Sequence, residues 1–241
     1  MKTIAFVQAR MSSNRFPGKV LADLCGEPMI ISMLSRVKKA KSLDNIVLVT
    51  SVEESDDCLA SSVRDHGFPV FRGPLKNVLE RFVQAAEVYP AEQYVRLTGD
   101  CPQVDPKIID QVVTLLNDEI ADYASNVEPP TYPNGMDCEA FTAQALQSTY
   151  ITASSNAERE HVTLLMRSEN SKFKRANLYN TVDQSNIRLT VDYPEDLEQI
   201  RTIVRAIGND ADTADLKSII NFLAAGSSLV KPFDKALAVS T

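Results

Sequence analysis

The chain has 241 residues, 44% hydrophobic and 24% charged, a globular composition that excludes disordered and fibrous classes. Its formal net charge of -7 opposes a broad grip on DNA or RNA, while leaving room for a small anionic ligand on a local basic loop. Cys25, Cys58, Cys101 and Cys138 lack zinc spacing and have only His66 and His161 to help them, so they read as reduced thiols.

Short β-branched apolar runs alternate with segments of helical period. Thr3 to Val7 reads as a buried strand; it is shorter than a signal-peptide core and Arg10 follows at once. No later run approaches the roughly 20 apolar residues of a membrane span, so the expected compartment is the cytosol. Pro28 to Lys39 carries Met29, Ile30, Met33, Leu34 and Val37 on one helical face. Ile46 to Thr50 is a second strand, Asp56 to His66 a helix closing at Gly67, and Pro69 to Arg72 a third strand. Val78, Leu79, Phe82, Val83 and Ala86 recur at helical period before a strand at Tyr94 to Thr98. Asp105 and Pro106 cap a helix bearing Ile108, Ile109, Val112, Val113 and Leu116.

The second half is less regular. Strands are expected at Tyr123 to Val127, Glu139 to Thr142 and Arg188 to Val191, with a turn-rich loop at Pro129 to Gly135. Helices are expected at Ala143 to Tyr150, Ala157 to Arg167 and Pro194 to about Ile207. The pattern predicts one α/β domain over residues 1–225, a mainly parallel mixed sheet with helices on both faces, and a tail at 226–241. Ligands of such sheets bind beyond the strands' carboxyl ends, which singles out the loops after Val7, Thr50 and Thr98.

The first of these loops, Gln8 to Leu21, gathers Arg10, Arg15 and Lys19 among Ser12, Ser13 and Gly18. Cations on a small-residue loop suit a polyphosphate, whose oxygens can also take backbone N–H groups. Charge density alone leaves a solvated basic loop equally open, and neither GxxxxGK[ST] nor GxGxxG is present. Asp100, in LTGDCPQVDP, and Asp192, in VDYPEDL, each follow a predicted strand. Two such carboxylates can share a Mg²⁺ with a nucleotide's phosphates; turn chemistry for Asp100 and helix capping for Asp192 are the structural alternatives.

These segments together resemble the cytidylyltransferases that make CMP-activated acidic sugars, whose first loop reads ARxxSxRxPGKxL. Ala9, Arg10, Ser13, Arg15, Pro17, Gly18, Lys19 and Leu21 match it position by position. FRGPLKNVLERF, GMDCEAF, EREHVT and RLTVDYPEDL resemble the branch named for the spore coat polysaccharide biosynthesis protein SpsF, over residues 1 to about 207.

The resemblance implies a nucleotide-diphospho-sugar transferase fold of glycosyltransferase-A type, CTP and a sugar acceptor as substrates, Mg²⁺ as cofactor and a homodimer. It implies that Arg10, Arg15 and Lys19 hold the triphosphate, with Ser13 in the same nucleotide-binding loop and Gln8 and Ala9 near base and ribose. Arg15, Lys19 and Asp100 would be catalytic, Asp100 and Asp192 would bind the metal, and Arg72 and Arg81 would line the nucleotide or sugar pocket. Asp137, Glu139, Glu158 and His161 are acceptor-side candidates. Gln103 departs from the apolar residue usual in the sugar-acid synthetases, which bears on the acceptor's identity. The competing readings are a glycosyltransferase using a finished nucleotide sugar, a transferase using another nucleoside triphosphate, and a binding module without turnover.

Overall fold

The computed structural model describes residues 1–208 and 214–226. Strand β1 (Thr3–Gln8) is apolar and buried almost throughout, as a central parallel strand must be when both its faces are covered. It lies between β4 (Asn45–Ser51) and β6 (Gln93–Thr98), pairing with both in parallel, and β5 (Val70–Gly73) extends the sheet beyond β4. Helices α1 (Met29–Val37), α2 (Asp57–Asp65) and α3 (Val78–Val88) are the crossovers that parallel pairing requires.

After α4 (Pro106–Asp118) the topology changes. β8 (Glu139–Thr142) inserts antiparallel between β6 and β7 (Tyr123–Ser125), and β9 (Arg175–Asn177) closes the edge parallel to β7. The sheet runs β5-β4-β1-β6-β8-β7-β9. The chain leaves β1 toward β4 and returns on the other side at β6, so the topological switch point lies between β1 and β6.

Both faces are covered. Ala5, Val7, Leu48 and Leu97 pack under α1, α2, α4, α8 (Pro194–Ile207) and α9 (Leu216–Ala225) through residues such as Met33, Leu59, Ile109, Ile200 and Ile219. On the other face Ile4, Phe6, Val49, Tyr94 and Phe141 meet Leu79 and Phe82 of α3, Leu146 of α5 (Ala143–Thr152) and Met166 of α7 (Leu164–Arg167). Phe6 stacks on Tyr94 at 4.8 Å and meets Phe82 edge-on at 5.6 Å. Such contacts add about 1 kcal/mol each beyond the area they bury.

One aspartate starts two helices. Asp105 accepts from Lys107 N at 2.8 Å through Oδ1, capping α4, and from Leu216 N at 2.7 Å through Oδ2, at the start of α9. Arg36, buried on α1, donates to the carbonyls of Val104, Gln103 and Ala214, tying the same two segments together. Gln103 is therefore buried behind the strand ends, and its Oε1 has no hydrogen-bond partner among the described residues.

Three expectations from the sequence are corrected. The run from Arg188 to Val191 alternates as a strand does, yet among the described residues only Arg188 is bridged, to Asn134; Leu189 N donates to Asn134 O and Val191 N to Asp100 O. Its partners are loops, so no sheet strand forms. The helix expected over Ala157 to Arg167 is broken into α6 (Asn156–Glu160) and α7, because the intervening turn buries Val162 and aims the Thr163 hydroxyl at Glu139. The strand from Tyr123 stops at Ser125. A two-residue hairpin, β2 (Asp23–Leu24) with β3 (Glu27–Pro28), the short polar β9 and the helix α9 are additional elements. No helix among the described residues is long and apolar enough to cross a membrane. Apart from Gly226, the segment read as a C-terminal tail lies outside the described residues.

Candidate active site at the carboxyl ends of the central strands

A cleft of about 580 Å³ opens at the switch point, within the usual range for small-molecule sites. The loop after β1 forms one wall. It curls on itself, with Ser13 N and Gly18 N both donating to Met11 O, and is anchored where Met11 N donates to Asp56 Oδ1 at 2.7 Å. Asp56, fully buried, also accepts from the hydroxyls of Thr50 and Ser51 at the end of β4. Burial would raise its pKa, but these donors more than offset that and leave it low.

Gly99 brings the second wall close. A side chain there would meet Ala9 Cβ at 2.7 Å, while Gly99 N donates to Gln8 O at 2.8 Å. The glycine of LTGD is thus required by the close approach of β1 and β6, and it sets Asp100 opposite the cationic loop.

The charged centre is built on Lys19. Its buried ammonium donates to Val191 O at 2.6 Å and Asp192 Oδ1 at 3.1 Å, and reaches Asp100 Oδ2 at 3.5 Å. All three of its donor positions are used, as a buried ammonium requires. Asp192 also receives Arg15 Nη2 at 2.7 Å and, on its other oxygen, Arg188 Nη2 at 2.7 Å. Burial pushes the Asp192 carboxyl up, but Lys19, Arg188 and Arg15 outweigh it and hold the pKa below its ordinary value. Arg188 bridges on to Asp196, which accepts from the backbone N–H groups of Asp192 and Tyr193 and so caps α8. The Arg15 guanidinium lies 5.5 Å from the ring centre of Tyr193.

Arg81 is a second buried cation on the cleft. Its Nη1 donates to Pro74 O, its Nε has no partner among the described residues, and burial together with the charge of Arg10 pulls its pKa down to about 10. A buried guanidinium with an unused donor, beside another arginine, is stabilised by an anion.

The cleft floor carries a polar row from neighbouring strands. Arg96 Nε donates to Gln8 Oε1 at 3.3 Å, and its Nη1 pairs with Glu139, which also accepts from Tyr123 Oη at 2.7 Å and Thr163 Oγ1 at 2.6 Å. Burial opposes ionisation of Glu139, but Arg96 and the two hydroxyls prevail and keep its pKa low.

Of the residues singled out in the sequence, Gln8, Ala9, Arg10, Ser13, Arg15, Lys19, Arg81, Asp100, His161 and Asp192 line the cleft together. Arg72 instead donates to the carbonyls of Ser51 and Glu53 and pairs with Asp57 at 2.6 Å. Glu158 accepts from Ser154 N and Ser155 N, capping α6, and those N–H groups lower its pKa. Asp137 is half-buried behind the wall; burial, then the charges of Glu139 and Asp100, raise its pKa to about 7. Arg96, Asn14 and Glu160 line the cleft without having been singled out. For Arg96 the signal was present, since an arginine between buried Val95 and Leu97 needs a partner.

No group of three or more His, Cys, Asp or Glu among the described residues forms a metal cage. Asp100 and Asp192 do converge on one cation, the Lys19 ammonium. Magnesium commonly takes one or two carboxylates and completes its shell with phosphate oxygens and water, so this pair fits a metal that arrives with a nucleotide.

A model of cytidylyltransferases matches residues 4–220. The chain belongs to that family. As a cytidylyltransferase it is a nucleotidyltransferase enzyme. It is 34% identical over 232 residues to the spore coat polysaccharide biosynthesis protein SpsF of Bacillus subtilis, covering 92% of this chain and 95% of that one. A cytidylyltransferase structure from Leptospira borgpetersenii superposes with a TM-score of 0.90 at 32% identity, covering 95% and 97% of the two chains. The CMP:2-keto-3-deoxy-manno-octonic acid synthetase in complex with CTP shares the fold, with a TM-score of 0.69 at 18% identity over 86% of this chain and 99% of that one. These place this cytidylyltransferase in the nucleotide-sugar transferase fold.

Proposed function

We propose that this cytidylyltransferase transfers CMP from CTP to a hydroxyl of a sugar, an acidic one for surface polysaccharide or glycan synthesis, and releases pyrophosphate. The observation that carries the reading is the meeting of Lys19, on the basic loop, with both Asp100 and Asp192 at the mouth of the parallel strands. It joins a polyphosphate-binding wall and a pair of carboxylates in one cleft, as nucleotidyl transfer requires. Its support outside the structure is the likeness to SpsF and to a synthetase whose structure holds CTP.

In this reading the sugar hydroxyl attacks the α-phosphorus in line and pyrophosphate leaves from the opposite side. The protein's task is positioning and charge stabilisation. Arg10, Arg15 and Lys19 hold the phosphates, and Arg15 and Lys19 offset the charge that grows on the departing pyrophosphate. Arg81, with its unused Nε, adds a further donor toward the nucleotide. Asp100 and Asp192 would hold Mg²⁺, which when bound polarises the α-phosphate and the attacking hydroxyl. His161, on the same cleft, faces the acceptor. The resemblance further carries a cytoplasmic homodimer, and light scattering on the purified protein reads the subunit number.

The test is pyrophosphate release with each of the four nucleoside triphosphates and Mg²⁺, against 2-keto-3-deoxy sugar acids and against neutral and phosphorylated sugars. Release confined to CTP and a sugar acid is the expected result. Release with another nucleotide, or turnover only of a finished nucleotide sugar, overturns the reading.

A further inference from the structure

We infer that Arg96 is a positioning residue that fixes the Gln8 side-chain amide with its NH₂ group facing the cleft, where it selects cytosine over uracil. The inference rests on the CTP reading above and adds to it how the base is chosen.

Gln8 ends β1, and its side chain shares a sheet face with Phe6, Tyr94 and Arg96. Below this level the face is apolar and closed by α3; at this level it opens into the cleft, where both Gln8 and Arg96 are lining residues. A glutamine amide can ordinarily turn over, exchanging its acceptor for its donors. Here it cannot do so without loss. The guanidinium of Arg96 only donates, so the oxygen of Gln8 must face it, as the 3.3 Å contact shows. Arg96 is itself fixed, because its other arm pairs with Glu139, which is held in turn by Tyr123 and Thr163. Among the described residues no protein acceptor takes the Gln8 NH₂ group, which leaves it for a ligand.

The other cations on the cleft suit phosphate, and Asp100 and Asp192 are drawn to Lys19. The Gln8 amide is a neutral donor of fixed direction apart from that charged centre. The pairing edge of cytosine offers two adjacent acceptors, N3 and O2, whereas uracil places an N–H at position 3. A fixed NH₂ donor meeting position 3 therefore complements cytosine N3 and opposes the uracil N–H, and an unmet donor facing another donor is what gives polar sites their discrimination.

The test is equilibrium binding of CTP and of UTP, each with Mg²⁺, to the wild type, Gln8→Glu and Arg96→Lys, with inorganic triphosphate as a base-free control. The wild type should bind CTP more tightly. In Gln8→Glu, which keeps the shape and the contact to Arg96 but turns an acceptor toward the cleft, the CTP-to-UTP preference should fall by about tenfold or more. Arg96→Lys, which retains a positive charge for Glu139 but frees the amide to turn, should lower the preference less, and triphosphate binding should be unchanged in both. A structural defect would weaken both nucleotides together and leave their ratio intact. The inference is overturned if Gln8→Glu leaves the ratio unchanged, or raises only the KM of the sugar, which would put Gln8 on the acceptor. If the wild type binds neither nucleotide, the CTP reading itself fails before any substitution is made.

Discussion

Asp100 and Asp192 end adjacent segments of the same cleft and reach for the same ammonium, but they are held very differently. Asp192 accepts from Arg15, Lys19 and Arg188 at 2.7 to 3.1 Å, and its side chain is 12% exposed. Among the described residues Asp100 has one cation in reach, Lys19 at 3.5 Å, and its side chain is 31% exposed. One carboxylate is drawn into the fold's own ion pairs, and the other is more open to a ligand. The difference teaches that a pair of acids matching one metal motif need not play equal parts, and that activity and stability should separate when each is changed.

The sharpest separation is expected from Asp100→Asn. Turnover should fall on the order of 10²–10³-fold, read by pyrophosphate release, while thermal stability stays within about 0.5 kcal/mol of the wild type. A large loss of stability would mean that Asp100 is a turn residue. Asp192→Asn should lose turnover as well, but also about 2 kcal/mol of stability in urea denaturation, because a buried ammonium and two guanidiniums lose their common carboxylate. The same variant tests the acid limb. With its folded pKa below the unfolded value of about 3.9, Asp192 contributes stability that is present above that value and lost as pH falls through the folded pKa; Asp192→Asn should be less pH-sensitive below about pH 4. Lys19→Met removes the group shared by both acids and leaves Val191 O without its donor; a loss of about 1.5 kcal/mol is expected by denaturation, with weaker triphosphate binding by calorimetry.

The smallest effect is expected at Asp137, behind Asp100. Its pKa of about 7 in the folded chain exceeds the unfolded value of about 3.9, so the folded state binds more protons between the two and stability declines as pH rises across that window. Asp137→Asn should therefore match the wild type near pH 4 and exceed it by about 1 kcal/mol at pH 8, the figure being reduced for partial solvent screening. Urea denaturation at the two pH values measures it. No difference at pH 8 would show that the carboxylate is solvated.

How much of this was legible in the sequence varies with the kind of interaction. The parallel half reads directly: β1 and β4 carry continuous apolar runs, β6 an apolar run broken by Arg96, and α1, α3 and α4 a helical stripe, because each is specified by burial along a local segment. The other half is set by long-range contacts. Arg188 to Val191 has a strand's alternation and no strand beside it; the helix from Ala157 breaks because Val162 is buried and Thr163 serves Glu139; β9 has no hydrophobic period at all. The site divides in the same way. The basic loop, Asp100 and Asp192 stand out as charges after strands, whereas the capping role of Glu158 and the carbonyl contacts of Arg72 depend on neighbours that spacing does not reveal. Arg96 shows the limit most clearly: its cost in a buried strand was visible, but its partner Glu139 lies 43 positions away.

The double cap on Asp105 bears on the order in which the working molecule is completed during synthesis. Asp105 lies five positions beyond Asp100, and its second oxygen is satisfied only by Leu216, 111 positions further along the chain. Arg36, near the other end of the chain, waits for the same arrival through Ala214. A ribosome-bound chain that has already folded its central strands still lacks the brace behind the Asp100 loop. The cleft is therefore braced only after residue 216 has been made, and a premature stop before Leu216 would leave a folded sheet with a loose corner beside Asp100.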